Sequence, residues 1–84
     1  MTVEKIKNSI LKSFSVFSFK YKEKIGGIDP ISDTEFILWY DNDDNVIADS
    51  IDKAIMLPVF DGKSLTELVN KKLITKHDLI ESNF

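Results

Sequence analysis

Glu35-Phe36-Ile37-Leu38-Trp39-Tyr40 is the stretch that decides the fold. Five consecutive apolar residues, aromatic or branched, stand between the polar clusters Ser32-Asp33 and Asp41-Asn42-Asp43-Asp44-Asn45. Such a run is too short for an ordinary helix, and turn-forming residues close it on both sides. The pattern predicts a strand, covered on both faces. After the Asp/Asn turn, Val46-Ile47-Ala48 reads as a short returning strand.

Upstream, Phe17, Phe19 and Tyr21 alternate with Ser18, Lys20 and Lys22, which gives one strand face to aromatics and the other to polar groups. Lys22-Glu23-Lys24 is a tight polar turn. Ile25, Ile28 and Ile31 follow, with Gly26-Gly27 marking a bulge or a close backbone approach. Asp29-Pro30 predicts a bend or the end of that strand. The loops are too short for parallel crossovers. Three to four antiparallel strands in meander order are therefore expected over 16–49.

Helical spacing flanks this meander. Thr2 caps a helix lying within 1–14, with Val3, Ile6, Ile10 and Phe14 on one stripe. Beyond Ser50, Ile51, Ala54 and Ile55 share a face until Pro58. Ser64-Leu65-Thr66-Glu67 is a capping box, opening a helix with Leu65, Leu68, Val69 and Leu73 on its stripe. Thr75 and Asp78 cap a last short helix before Ser82-Asn83-Phe84. Residues 50–82 thus form a helical carboxyl-terminal part. The reading is one α+β domain over residues 1–84. The N-terminal helix and the 64–73 helix cover one sheet face. Phe17, Phe19, Ile37 or Leu38, Ile51, Ile55, Leu65, Leu68 and Val69 form its core.

Composition narrows the chemistry. The chain has 84 residues, 43% of them hydrophobic, enough to build a core without disulfides. All 11 basic side chains are lysine, there is no cysteine, and His77 is the only histidine. Thiolate nucleophiles and Cys-containing zinc sites are excluded, and the planar bidentate recognition that arginine supplies is missing. Residues 1–14 mix lysine with apolar residues and resemble neither a signal peptide nor a membrane span, so a cytoplasmic protein is expected. No cofactor is expected.

The net charge of −3 conceals a strong segregation. Residues 1–28 carry six Lys against Glu4 and Glu23, a local +4; residues 29–61 carry eight Asp and Glu35 against Lys53, a local −8. Asp29, Asp33, Glu35, Asp41, Asp43, Asp44, Asp49 and Asp52 are the candidate protein-binding residues. Their charge points to a basic protein partner, or to a homodimer joining opposite charges, rather than to nucleic acid or membrane. The plain alternative is a solvated acidic loop.

Four motifs stand against that background. Asp41, Asp43, Asn45, Asp49 and Asp52 fall at the ligand spacing of a calcium-binding loop, but Val46 occupies the position where glycine makes the sharp turn. The loop also lacks a preceding helix, so it reads as an Asp/Asn hairpin turn, with a weaker cation site at the same residues as the rival. Gly62-Lys63-Ser64 resembles the end of a phosphate loop, yet Leu57 stands where the first glycine belongs. Phe17, Phe19 and Tyr21 beside Lys20, Lys22 and Lys24 suggest a base-stacking sheet, against which the acidic middle of the chain argues. Trp39 and Tyr40 are either core residues or exposed interface anchors.

Ala48-Asp49-Ser50-Ile51-Asp52-Lys53-Ala54 running into Phe60-Asp61-Gly62-Lys63-Ser64-Leu65-Thr66-Glu67-Leu68 resembles small proteins of low-GC Gram-positive bacteria and their prophages. In these a short β-meander is followed by an acidic-Gly-Lys-Ser-Leu turn and a helix. The resemblance implies an α+β fold and carries over no catalytic or ligand residue. The expected function is that of a non-enzymatic accessory protein, such as an inhibitor, immunity protein or antitoxin, acting by protein–protein binding. A self-assembling structural module and a divalent-metal-binding protein using the 41–52 loop are the two alternatives.

Overall fold

A computed structural model of the chain describes residues 1–82. The order of elements is α1 (Val3–Ser13), β1 (Phe17–Tyr21), β2 (Lys24–Ser32), β3 (Glu35–Tyr40), β4 (Val46–Ala48), α2 (Ile51–Ala54), α3 (Leu65–Asn70) and β5 (Leu79–Glu81). A single 3-10 turn, Lys76–Asp78, precedes β5. The five strands form one antiparallel sheet in the order β4-β3-β2-β1-β5. The fold class is therefore α+β, as expected, with the meander β1 to β4 in sequence order.

Local sequence accounts for most boundaries. Thr2 Oγ1 accepts from Lys5 N at 3.2 Å and caps α1. The helix ends at Phe14 because that residue turns left-handed, with φ 52°, so Phe14 leaves the apolar stripe and stands exposed. Lys22 and Glu23 both take positive φ in the β1–β2 hairpin, the backbone signature of a tight turn that matches strand twist. The Ser64–Glu67 capping box forms as predicted, with both reciprocal bonds present.

Four expectations are corrected. The four-strand meander over 16–49 is present, but the 50–82 part is not purely helical: Leu79–Glu81 pairs with β1 as a fifth strand. The helix after Ser50 covers only Ile51–Ala54, and the chain reaches Pro58 in turns. Strand β2 continues through Asp29-Pro30 instead of ending there. Its pairing with β1 stops at Ile28, so at Pro30 it has a neighbour on one side only, where a missing N–H removes nothing from β1. Of the two readings of Gly26-Gly27, the close approach is the one present, since the register runs through them unbroken.

The fourth correction concerns β3. It is covered on one face, not on both: Phe36, Leu38 and Tyr40 are buried, while Glu35, Ile37 and Trp39 are half-buried. The inner face joins Phe17, Phe19 and Tyr21 of β1 with Ile28, Phe36, Leu38, Tyr40 and Ala48. Ile6 and Ile10 of α1, Ile51 and Ala54 of α2, and Leu65, Leu68 and Val69 of α3 pack on them around Phe60 and Ile74. Every predicted core residue is buried, with Leu38 taken over Ile37. The Cα envelope measures 29 × 27 × 18 Å, and its thin dimension corresponds to one sheet and one helical layer. All the helices lie on the inner side. Among the described residues, no helical layer covers the other face of the sheet.

Candidate functional site

Strand register decides what that open face presents. Pairing Ser18 with Gly27 and Gly27 with Trp39 makes one outward row across β1, β2 and β3. A second row runs Asp29, Ile37, Ile47 across β2, β3 and β4, and a third pairs Lys20 with Ile25. Gly27, lacking a side chain, leaves the space above β2 to the Trp39 indole. Ile25, Trp39, Ile37 and Ile47 then follow one another across three strands. Ile25 is 49% exposed and Ile47 63%. Isolated exposed apolar residues are ordinary; a contiguous group centred on tryptophan is the kind of patch that marks a contact surface.

Carboxylates border this patch. Asp29 lies beside Ile37 in its row, and Glu35 precedes Ile37 on β3, both half-buried and without an ion pair among the described residues. Glu81 of β5 is held next to the same face by Ser18. The Ser18 hydroxyl donates to Glu81 Oε1 at 3.3 Å and accepts from Glu81 N at 3.1 Å. Ser18 is thereby almost fully buried yet satisfied on both sides. Lys20, the lysine on this face, is engaged by Glu23 at 3.6 Å.

The eight candidate acidic residues do not form one surface. Asp29 and Glu35 lie on the open face and Asp33 in the β2–β3 turn, while Asp41, Asp43 and Asp44 occupy the β3–β4 loop. Asp49, just past β4, pairs with Lys53 at 3.1 Å. Asp52 sits in the helical layer, bound to Lys7 at 2.7 Å, where it ties α2 to α1 and raises the lysine pKa through that hydrogen bond.

The calcium-loop spacing has no spatial counterpart. Strand β4 runs through the middle of the segment and separates Asp41, Asp43 and Asn45 from Asp49 and Asp52 by about 10 Å of extended chain. No three acidic, histidine or cysteine side chains among the described residues converge on a metal position. The segment Asp41–Asn45 is instead a turn: Asp41 takes φ 52°, and Asp43 N donates to Tyr40 O at 3.0 Å.

Gly62-Lys63-Ser64 is likewise structural. Asp61 and Gly62 both take positive φ, Phe60 and Lys63 exchange two backbone hydrogen bonds across them, and the capping box engages the amides of Ser64 and Glu67. The base-stacking reading of β1 is overturned, because Phe17, Phe19 and Tyr21 all face the helices inside the core. Tyr40 is also internal, and its hydroxyl donates to Tyr21 O at 2.8 Å. Trp39 alone of the aromatic pair faces outward. The signal for Ile25, Ile37, Trp39 and Ile47 lay in strand parity, which the unbroken apolar run from Phe36 to Tyr40 concealed.

No helix among the described residues is long and apolar enough to cross a membrane. Compared with protein-family models, curated proteins and solved structures, the chain has no match.

Proposed function

We propose that this protein acts by binding a second protein of basic character, and that the open sheet face receives it. The observation that carries the reading is the Ile25–Trp39–Ile37–Ile47 patch, bordered by Asp29, Glu35 and Glu81 on the side of the sheet opposite the helices. A tryptophan-centred apolar group supplies binding energy when buried, and a carboxylate rim accelerates encounter with a basic surface and rejects acidic ones. A compact accessory role, as inhibitor, immunity protein or antitoxin of a bacterial or prophage system, suits such a surface. Self-assembly is the rival reading. Charge weighs against it on this face, since two copies laid together bring six carboxylates against two Lys20 side chains.

Affinity capture from a host lysate tests the proposal, with wild-type, Trp39→Ala and Glu35→Lys baits compared at low and high salt. A basic protein retained by wild type, released by salt and lost from both variants is the expected result. Equal retention on all three baits removes the open face from consideration. A concentration-dependent dimer in sedimentation that retains no partner favours self-assembly. A monomer that retains nothing defeats both readings.

A further inference from the structure

We infer that the element docking on this face is an amphipathic α-helix of the partner with lysine or arginine along both sides of its apolar stripe. This rests on the binding role proposed above and adds the shape and chemistry of the ligand. Three features of the face argue for it.

The first is the state of the backbone. Strand β2 is paired on both sides through Gly26, Gly27 and Ile28, and β3 is paired with β2 and β4. The centre of the patch therefore offers side chains alone, and a ligand seated there gains no ladder hydrogen bonds. An added strand belongs at an edge, whereas a helix satisfies its own backbone and brings only side chains.

The second is the direction of the patch. Ile25 lies on β2, Trp39 one outward row further along on β3, and Ile37 with Ile47 one row beyond, reaching β4. Outward rows are about 6.7 Å apart and strands about 4.8 Å apart, so the patch is a diagonal stripe on the order of 16 Å long and one side chain wide. Three turns of helix span about 16 Å and display an apolar stripe of that width at i, i+3, i+4 and i+7.

The third is the placement of charge. Asp29, Glu35 and Glu81 lie along one long side of the diagonal, and the β3–β4 loop, which carries Asp41, Asp43 and Asp44, leaves β3 on the other side, where Asp41 N donates to Ile25 O. Long basic side chains flanking an apolar stripe extend outward past it, their stems on apolar surface and their charged ends toward both acidic borders. The same open face of a second copy has the wrong charge for that arrangement.

Trp39 is the only tryptophan, so its fluorescence reports on the patch directly. Three synthetic 14-residue peptides serve as probes. One is built of Leu and Lys with Leu at helical spacing; the second has the same composition in strict alternation; the third has helical spacing with Glu replacing Lys. The helical Leu/Lys peptide is expected to shift Trp39 emission to the blue and to bind at least tenfold more tightly than the alternating one, with no binding of the Glu peptide. Ile47→Lys and Glu35→Lys, both outside the core, should each weaken it at least fivefold. Equal or tighter binding of the alternating peptide overturns the helix inference and leaves the binding role standing. So does failure of both Lys peptides when a host partner is captured through Trp39. Undiminished binding to both variants, or equal binding of the Glu peptide, places the ligand elsewhere and removes this site.

Discussion

The Trp39 indole lies directly over Gly27, its register partner across β2 and β3, with no space for a β-carbon between them. A Cβ built on Gly27 would run into the Phe17 carbonyl oxygen and come within 2.5 Å of Trp39 Cη2. The aromatic ring thus replaces the side chain that β2 lacks, and the glycine sets how deeply the centre of the open face is seated.

Gly27→Ala is consequently expected to destabilise the fold by about 1–3 kcal/mol, the range for forcing an extra carbon into a filled site. It should also lift Trp39 from the sheet. Urea unfolding combined with Trp39 emission reads both effects. Gly62→Ala is the contrast: its Cβ meets nothing, but φ is +76°, so only the backbone cost of about 1–2 kcal/mol applies and the Trp39 spectrum stays unchanged.

Ser18→Ala removes the two hydrogen bonds between the Ser18 hydroxyl and Glu81 that reinforce the β1–β5 pairing. The expected loss is about 1–2 kcal/mol, and it should be concentrated in the last strand. Amide hydrogen exchange is the suitable measurement. Leu79 to Glu81 should lose protection while the β2–β3 ladder keeps it.

Lys22 Nζ donates to Asp61 Oδ2 at 2.7 Å and links the first hairpin to the turn before α3. That hydrogen bond, reinforced by the lysine charge, holds the Asp61 carboxyl below its ordinary value. The unfolded chain therefore takes up the proton first as pH falls. The stabilising contribution is complete above the unfolded pKa, near 4, and is lost as pH descends through the folded value. Thermal unfolding followed from pH 7 to 2 should show an acid limb that Lys22→Met flattens, with little change in stability under high salt for the variant.

The Tyr40 hydroxyl is pushed upward in pKa, chiefly by burial, and donates to the Tyr21 carbonyl. Stability from this group is complete below the unfolded tyrosine pKa of about 10 and is lost as pH rises toward the higher folded value. Tyr40→Phe should cost about 1–2 kcal/mol at neutral pH by leaving the carbonyl without its donor. It should also reduce the alkaline fall in stability, measured by denaturant titration between pH 8 and 11.

Local chemistry was legible from the chain alone. The alternation of Phe17, Phe19 and Tyr21 with polar residues, the Lys22-Glu23 turn, the Asp/Asn turn after Tyr40 and the Ser64–Glu67 box each act within a few residues, so spacing specifies them. Features that depend on distant partners were not. Leu79-Ile80-Glu81 is strand only because β1, some 60 residues earlier, offers an edge and Ser18 binds Glu81. Pro30 stays within β2 because β1 stops short of it. The acidic segment reads as one surface, yet strand alternation and α2 carry its carboxylates to different places. An apolar run such as Phe36 to Tyr40 states that both faces are hydrophobic; which face is covered depends on where the other layer packs. Here α1, α2 and α3 all pack on the side of the sheet that carries Phe36, Leu38 and Tyr40, and that choice, made in three dimensions, leaves Ile37 and Trp39 facing outward.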